Sequence, residues 1–220
     1  MTAPAAERLG PATESSRLPI SGAGRFVKRA LDVLGSALLL LIFSPLIAIL
    51  AALIKAQDGG PVFHRRRVVG PGGEFDAFKL RSMKVDADQI LERDPALKKE
   101  FEVSFKLKND PRITPLGNFL RKSSLDELPQ MWNVLKGEMS LVGPRMITPA
   151  ELQKFGDAAW IYSSMKPGIT GYWQVQGRQD VSYDERIRME LFYVRNWSLS
   201  QDLKILIKTP LRVVRGAGAY

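Results

Sequence analysis

Two carboxylates stand side by side at Asp126 and Glu127, in the stretch RKSSLDELPQMWN that runs from 121 to 133. Adjacent like charges repel, so the pair needs a structural or a chemical reason. The structural one is helix capping: SLDE reads as a capping box in which Ser124 and Glu127 exchange hydrogen bonds, and acids favour a helix's first turn. Pro129 would then lie too deep in the helix, which makes Asp126 the better N-cap and leaves Pro129 in the first turn. The chemical one is nucleophilic attack. A carboxylate at a helix N-terminus stays ionised and can attack an electrophilic phosphorus where cations offset the repulsion. Arg121, Lys122 and Arg145 of the loop Gly143-Pro144-Arg145 could supply those cations, and the second carboxylate could hold Mg²⁺ on substrate phosphates, since hard cations favour oxygen ligands. These parts suit phosphoryl transfer.

The 220 residues suffice for one substantial domain with an appendage. There is no cysteine, which excludes a disulfide framework and any thiolate chemistry, and the single histidine, His64, lies among Arg65, Arg66 and Arg67. A histidine triad or a multi-histidine metal site is therefore not expected. The formal charge of +9 attracts polyanions: phosphate esters, nucleic acid or an anionic membrane face. The basic residues are spread along the chain and no nucleic-acid motif is present, so nucleic acid is not an expected partner.

The elements that must position the pair begin with residues 1–24, rich in Ala, Pro, Gly and Ser, which read as a disordered tail. From Val33 to Ile54 run 22 residues without a charge, long enough for a helix to cross a bilayer core. A signal peptide does not fit, because the run starts late, is long and lacks a cleavage site. Pro45, preceded by Ser44, kinks the run near its middle, with Ser44 able to bond a freed carbonyl. Basic residues flank both ends, Arg25, Lys28 and Arg29 before and Lys55 and Arg65 to Arg67 after, so a single span strands one cluster on the wrong side. A re-entrant helical hairpin over residues 25–57, bent at Ser44-Pro45, removes that conflict, and is favoured over a span or a buried core helix. Residues 58–220 form the expected cytoplasmic domain. Val62 to Val69 and Glu74 to Leu80 read as a β-hairpin about GPGG. Helical pattern follows at 86–107, broken at Pro95, at ELPQMWNVLK with Leu128, Met131, Leu135 and Trp132 on one face and a stop at Gly137, and at 149–165 and 183–196. The tail from Ser200 to Val214 places Leu203, Leu206 and Ile207 together and Lys204, Lys208 and Arg212 apart, an amphipathic stretch suited to a membrane surface or to packing on its own domain. The expected class is thus a helix-rich α+β fold on a membrane anchor.

The stretches KRALDVLGSALLLLIFSPLIAILAALIK, FKLRSM, LRKSSLDELPQMWNVLKGEMSLVGPR, KPGITGYWQVQGR and YVRNWSLSQDLKILIKT together resemble the monotopic polyprenyl-phosphate sugar-1-phosphate transferases of bacteria. They run in that family's order from about residue 27 to the C-terminus. The resemblance implies a phosphoglycosyl transferase of the galactosyl or glucosyl type that initiates exopolysaccharide synthesis. Asp126 is then the nucleophile on the β-phosphorus of a UDP-sugar, with UMP leaving, and undecaprenyl phosphate takes the sugar phosphate from the aspartate. Glu127 is the implied Mg²⁺ ligand. Lys79, Arg81, Arg121 and Arg145 match basic positions near phosphates, and Asp202 matches an acidic active-site position. The implied location is the cytoplasmic face of the inner membrane, among membrane lipids and in company with downstream glycosyltransferases. One departure stands out: the family's Gly-Pro-Arg-Pro is here GPRM, with Met146 in place of a loop-stiffening proline. Trp173 reads as a packed aromatic rather than a sugar platform. The rival readings are a catalytically inactive anchored binding protein or a scaffold of an assembly complex.

Overall fold

The computed structural model describes residues 22–104, 107, 109–176 and 181–214. The first residues of the chain thus lie outside the described region up to 21, and residues 22–24, expected in the tail, already belong to the first helix.

Helix α1 runs over Gly22–Asp58, 37 residues with Pro45 inside it. Proline has no N–H for the Leu41 carbonyl four residues back, and the Ser44 hydroxyl donates to that carbonyl instead, at 3.0 Å. The helix therefore continues past the proline. Its two limbs rest on the same folded body. Lys28, Asp32 and Ser36 are buried on the first, and Leu39 and Leu40 join the main core; Leu46, Ile47, Leu50 and Ile54 on the second pack with Leu80 and Leu120. Between them Leu41, Ile42, Ser44 and Pro45 are exposed, continuing an apolar outer stripe through Leu34, Leu38, Ile49 and Leu53. Among the described residues this is the helix long and apolar enough to cross a membrane, and most of its apolar stretch is not buried against the rest of the chain.

Polar side chains fasten both limbs. Lys28 Nζ donates to Val142 O at 2.8 Å and to Asp202 Oδ2 at 2.6 Å, Arg29 bonds Val134 O and Leu135 O, and Asp32 Oδ1 accepts from Ser140 Oγ and Leu141 N at 2.9 Å. At the other end Arg81 pairs with Asp58, Nη1 to Oδ2 at 2.7 Å.

Strands β1 (Phe63–Gly70) and β2 (Gly73–Leu80) form the expected hairpin, closed tightly with Gly70 opposite Gly73. Helices α2 (Ala87–Arg93) and α3 (Pro95–Ser104) part where Pro95 forbids continuation. Helix α4 (Pro115–Lys122), not anticipated from the sequence, starts on Thr114, whose hydroxyl accepts from Gly117 N. Helix α5 (Gln130–Lys136) ends at Gly137 in the left-handed region at φ 83°, as the glycine suggests. Its buried face is the expected one in part: Met131 is inside and Leu128 and Leu135 are half-buried, but Trp132 is exposed, while Gln130, Asn133 and Val134 are inside as well.

Strands β3 (Ser140–Val142) and β4 (Gly168–Thr170) pair in parallel, another feature the sequence pattern did not show, since three residues are too few for a periodicity. The helical pattern at 149–165 is broken into α6 (Pro149–Leu152), a 3₁₀ segment (Gln153–Ala158) and α7 (Ala159–Ser163), because Gly156 takes φ 50°, ψ −132°. Then follow α8 (Tyr172–Gln176), α9 (Tyr183–Arg195) and α10 (Leu199–Val214). On α10 Ile205 is buried, and Leu203, Ile207 and Leu211 form an exposed apolar stripe at helical spacing. The main core gathers Val68, Val134, Met139, Val142, Tyr162 and Tyr193 from strands and helices on both sides of β3. The α+β, helix-rich class holds.

Candidate active site

The short α4 helix ends at Ser123, and Ser124 turns the chain in the left-handed region at φ 56°, the only non-glycine with positive φ among the described residues. An L-residue there costs on the order of 1 kcal/mol. Its effect is immediate: Leu125–Glu127 fold into a single 3₁₀ turn that carries the two carboxylates. No side chain caps that turn or α5, whose N-cap position is Pro129. The capping readings of Ser124 and Asp126 are thus corrected, because the Glu127 N–H bonds the Ser124 backbone carbonyl at 3.3 Å rather than its hydroxyl.

The turn is pressed onto β2 by Asn133, one helical turn further along. Its side chain accepts from Phe78 N at 3.0 Å and donates to Asp76 O at 2.8 Å and to Glu138 Oε2 at 2.7 Å. Strand parity does the rest: opposite partners share a face, so His64 with Lys79 and Arg66 with Ala77 point to the side where Val68 and Ala77 are buried. Lys79 Nζ reaches Glu127 Oε1 at 2.6 Å and Asp126 Oδ2 at 3.7 Å. Arg121, anchored by Nε on Ser82 Oγ at 2.9 Å, adds its field to Asp126, and Arg145 and Arg66 add theirs to Glu127.

The two acids differ in kind. Asp126 is 6 % exposed, and burial pushes its carboxyl above the usual aspartate range; Lys79 and Arg121 pull the other way and the neighbouring Glu127 charge reinforces the rise. The expectation of an acid kept ionised by a helix terminus is corrected accordingly. Burial resists ionisation at Glu127 too, but Lys79, Arg145 and Arg66 together hold it below the usual glutamate range. One acid is thus held charged by cations, while burial makes its neighbour harder to ionise than an ordinary aspartate.

Of the other residues singled out from the sequence, Lys79, Arg121 and Arg145 come together around the pair. Arg81 and Asp202 do not. Arg81 is tied to Asp58 at the end of α1, and Asp202 is a buried hub that accepts from Lys28, from Tyr193 Oη at 2.6 Å and from Trp197 Nε1 at 3.0 Å. Met146 is buried in the main core. The loop it ends is stiffened by hydrogen bonds where a proline would stiffen it covalently: Arg145 N donates to Glu190 Oε2 at 3.1 Å, and Arg145 O accepts from Tyr162 Oη at 2.9 Å. Trp173 lies beneath the Arg145 and Arg186 guanidiniums, so it is a platform for cations.

Sequence reasoning missed Arg66, Arg186 and Glu190. Arg66 sits in a run of three arginines, and only strand alternation tells it from its exposed neighbours; it pairs with Glu151 at 2.9 Å, the acid of a capping box with Thr148. Arg186 and Glu190 are i and i+4 on α9, a signal indistinguishable from an ordinary surface ion pair until burial is known. For Mg²⁺, no group of three or more acids or histidines converges among the described residues. Two adjacent carboxylate side chains remain, oxygen donors of the kind that a hard cation such as Mg²⁺ favours.

A family model described as bacterial sugar transferase matches residues 23–216. The chain is 48 % identical over 201 residues to the undecaprenyl-phosphate galactose phosphotransferase of Salmonella typhimurium, covering 89 % of this chain and 42 % of that protein. It is 45 % identical over 202 residues to the exopolysaccharide production protein ExoY of Rhizobium meliloti, covering 90 % of this chain and 89 % of that one. It is 37 % identical over 211 residues to the UDP-glucose:undecaprenyl-phosphate glucose-1-phosphate transferase of Escherichia coli, covering 92 % and 43 %. The chain thus spans about two fifths of the longer relatives and nearly all of the shorter. A match over most of its length, together with these identities, means that the chain belongs to the bacterial sugar transferase family.

Proposed function

We propose that this chain is a membrane-associated phosphoglycosyl transferase that moves a sugar 1-phosphate from a UDP-sugar, UDP-galactose or UDP-glucose, to undecaprenyl phosphate, and so begins a polysaccharide that downstream glycosyltransferases extend. The observation that carries the reading is a buried aspartate beside a charge-held glutamate, with Lys79, Arg121, Arg66 and Arg145 acting on them. The names of the relatives agree with it.

In this mechanism an Asp126 carboxylate oxygen attacks the β-phosphorus of the UDP-sugar. A phosphorus–oxygen bond forms to the aspartate as the bond to UMP breaks, and UMP leaves with the electron pair. The undecaprenyl phosphate oxygen then attacks the same phosphorus and releases the Asp126 carboxylate. Lys79, Arg121 and Arg145 bind and orient the phosphates and offset charge in both displacements. Glu127, with Asp126, would hold Mg²⁺, which when bound neutralises phosphate charge. The apolar stripe of α1 and that of α10 would lie in the bilayer on its cytoplasmic face, in reach of the lipid substrate. Two features support a re-entrant α1: the limbs pack on one body, and the exposed centre coincides with the Ser44-Pro45 step.

The test is UMP formation by the purified protein with UDP-galactose or UDP-glucose, Mg²⁺ and undecaprenyl phosphate. We expect sustained release that Asp126→Asn abolishes. No release with any UDP-sugar from folded wild-type protein would point instead to a binding or scaffold role.

A further inference from the structure

Arg186 has no part in the mechanism above, yet it is among the most deeply placed charges in the molecule. At 8 % exposed, it lies with its guanidinium 5.0 Å from the centroid of Trp173 and 5.3 Å from that of Tyr183. Arg145 reaches the same indole at 5.6 Å. Two guanidiniums thus share one ring, and among the described residues neither has an ion-pair partner. The carboxylates nearby are engaged elsewhere: Glu151 with Arg66 and with Thr148, and one Glu190 oxygen with the Arg145 N–H. Burial pushes the Glu190 carboxyl up to about 7, so it offers these cations less charge than an ordinary glutamate.

An indole face compensates a cation only in part, by roughly 0.5–2 kcal/mol, and a buried charge without a counter-ion is unfavourable. Burial and the Arg145 charge already lower the basicity of Arg186. The arrangement is electrostatically incomplete, and an oxyanion of charge near −2 completes it. Paired arginine forks match phosphate oxygens in both geometry and charge. Arg145 also acts on Glu127, so such an anion would sit beside the carboxylate pair.

We propose that Arg145 and Arg186, backed by Trp173, form a phosphate-binding subsite next to Asp126 and Glu127, with Arg186 a substrate-binding residue. The inference rests on the transferase reading. A phosphate group is supplied by either substrate, the nucleotide sugar or the lipid phosphate, and the experiment separates the two.

UMP release is measured in wild type, Arg186→Gln and Arg186→Lys with each substrate varied in turn. Loss of a charge-assisted phosphate contact predicts a rise of about tenfold or more in KM for one substrate in Arg186→Gln, partly reversed in Arg186→Lys. The substrate whose KM moves is the one that brings the phosphate. Unchanged KM values for both substrates in a folded Arg186→Gln overturn the subsite and leave the transferase reading intact. So does a fall in kcat alone that follows a lowered melting temperature, since that is what a packing role produces. If Arg186→Gln does not fold, Arg186→Lys carries the comparison, because it keeps the charge and loses the fork. If wild type releases no UMP, the transferase reading fails, and binding is read directly from the rise in melting temperature with UMP and with inorganic phosphate. An equal rise in wild type and Arg186→Lys then overturns the subsite; a smaller rise in Arg186→Lys than in wild type supports it.

Discussion

A buried carboxyl group is costly to keep charged, and Asp126, Glu127 and Glu190 resolve that cost in three ways. Glu127 is surrounded by cations and stays ionised; Asp126 has one long contact to Lys79 and is pushed above the usual aspartate range; Glu190 accepts from a backbone N–H and is pushed up to about 7. The groups acting on Glu190 are Arg186 and Arg145, with Tyr162 and Tyr193 feeling it in turn. A carboxyl whose folded pKa is raised binds more protons in the folded state than in the unfolded one, so its stabilising contribution is complete below the unfolded value and is lost as pH rises through the folded value. Between the ordinary 4.5 and about 7, wild-type stability should therefore fall relative to Glu190→Gln, which retains an acceptor for Arg145 N and does not titrate. The difference accumulates to on the order of 3 kcal/mol. Denaturant unfolding of both proteins at about pH 5 and about pH 8 measures it, and a difference independent of pH would contradict the assignment.

Among the elements, α5 and α4 carry the site more than the sheet does. The Asn133 side chain makes three hydrogen bonds that hold α5 on β2, and through α5 the carboxylate turn on Lys79. Asn133→Ala leaves Phe78 N and Asp76 O without the Asn133 side chain as partner and should cost roughly 2–4 kcal/mol. Because the same contact sets the approach of Lys79 to Asp126, UMP release should fall more than the loss of folded protein explains. Calorimetry and rate on the same sample separate the two, and an unchanged rate per folded molecule would show that the clamp is structural alone. Helix α4 meets the chain after β2 so closely that a Cβ on Gly117 would fall 1.8 Å from Ser82 O. That proximity is what lets Arg121 bond Ser82 and face Asp126. Helix α5 is legible from its pattern and its glycine stop, and Met131 is buried as that pattern implies, but buried Gln130 and Asn133 look like surface residues in any hydrophobicity argument, and Trp132 is exposed.

At the scale of the whole molecule, a helix of 37 residues would extend roughly 55 Å if straight, and both its limbs are fastened to one body by Lys28, Arg29 and Asp32 at one end and Asp58 at the other. A span would put those ends on opposite faces of a bilayer. Single cysteines in this cysteine-free chain test the point: Ala23→Cys and Gly72→Cys should both react with an impermeant thiol reagent from the cytoplasmic side only. Labelling of the two from opposite sides would rule out the re-entrant arrangement. That Lys28 and Arg29 serve as ties into the folded body was not legible in the sequence, since their partners lie more than 100 residues away.

The sequence by itself determined the elements whose cause is local: the apolar run, its proline step with Ser44 as the compensating donor, the β-hairpin about its glycines, the helix end at Gly137, and the adjacency of Asp126 and Glu127. Tertiary structure decided everything that depends on burial and on distant partners. It converted the supposed helix cap into a strained 3₁₀ turn, raised one acid and lowered the other, drew Arg66 and Lys79 to one face, and sent Arg81 and Asp202 to the anchoring of α1. The reason is physical: a residue's type states which charges and hydrogen bonds it can offer, but whether it keeps its proton and what it pairs with depend on desolvation and on neighbours that only the folded chain brings within a few ångströms.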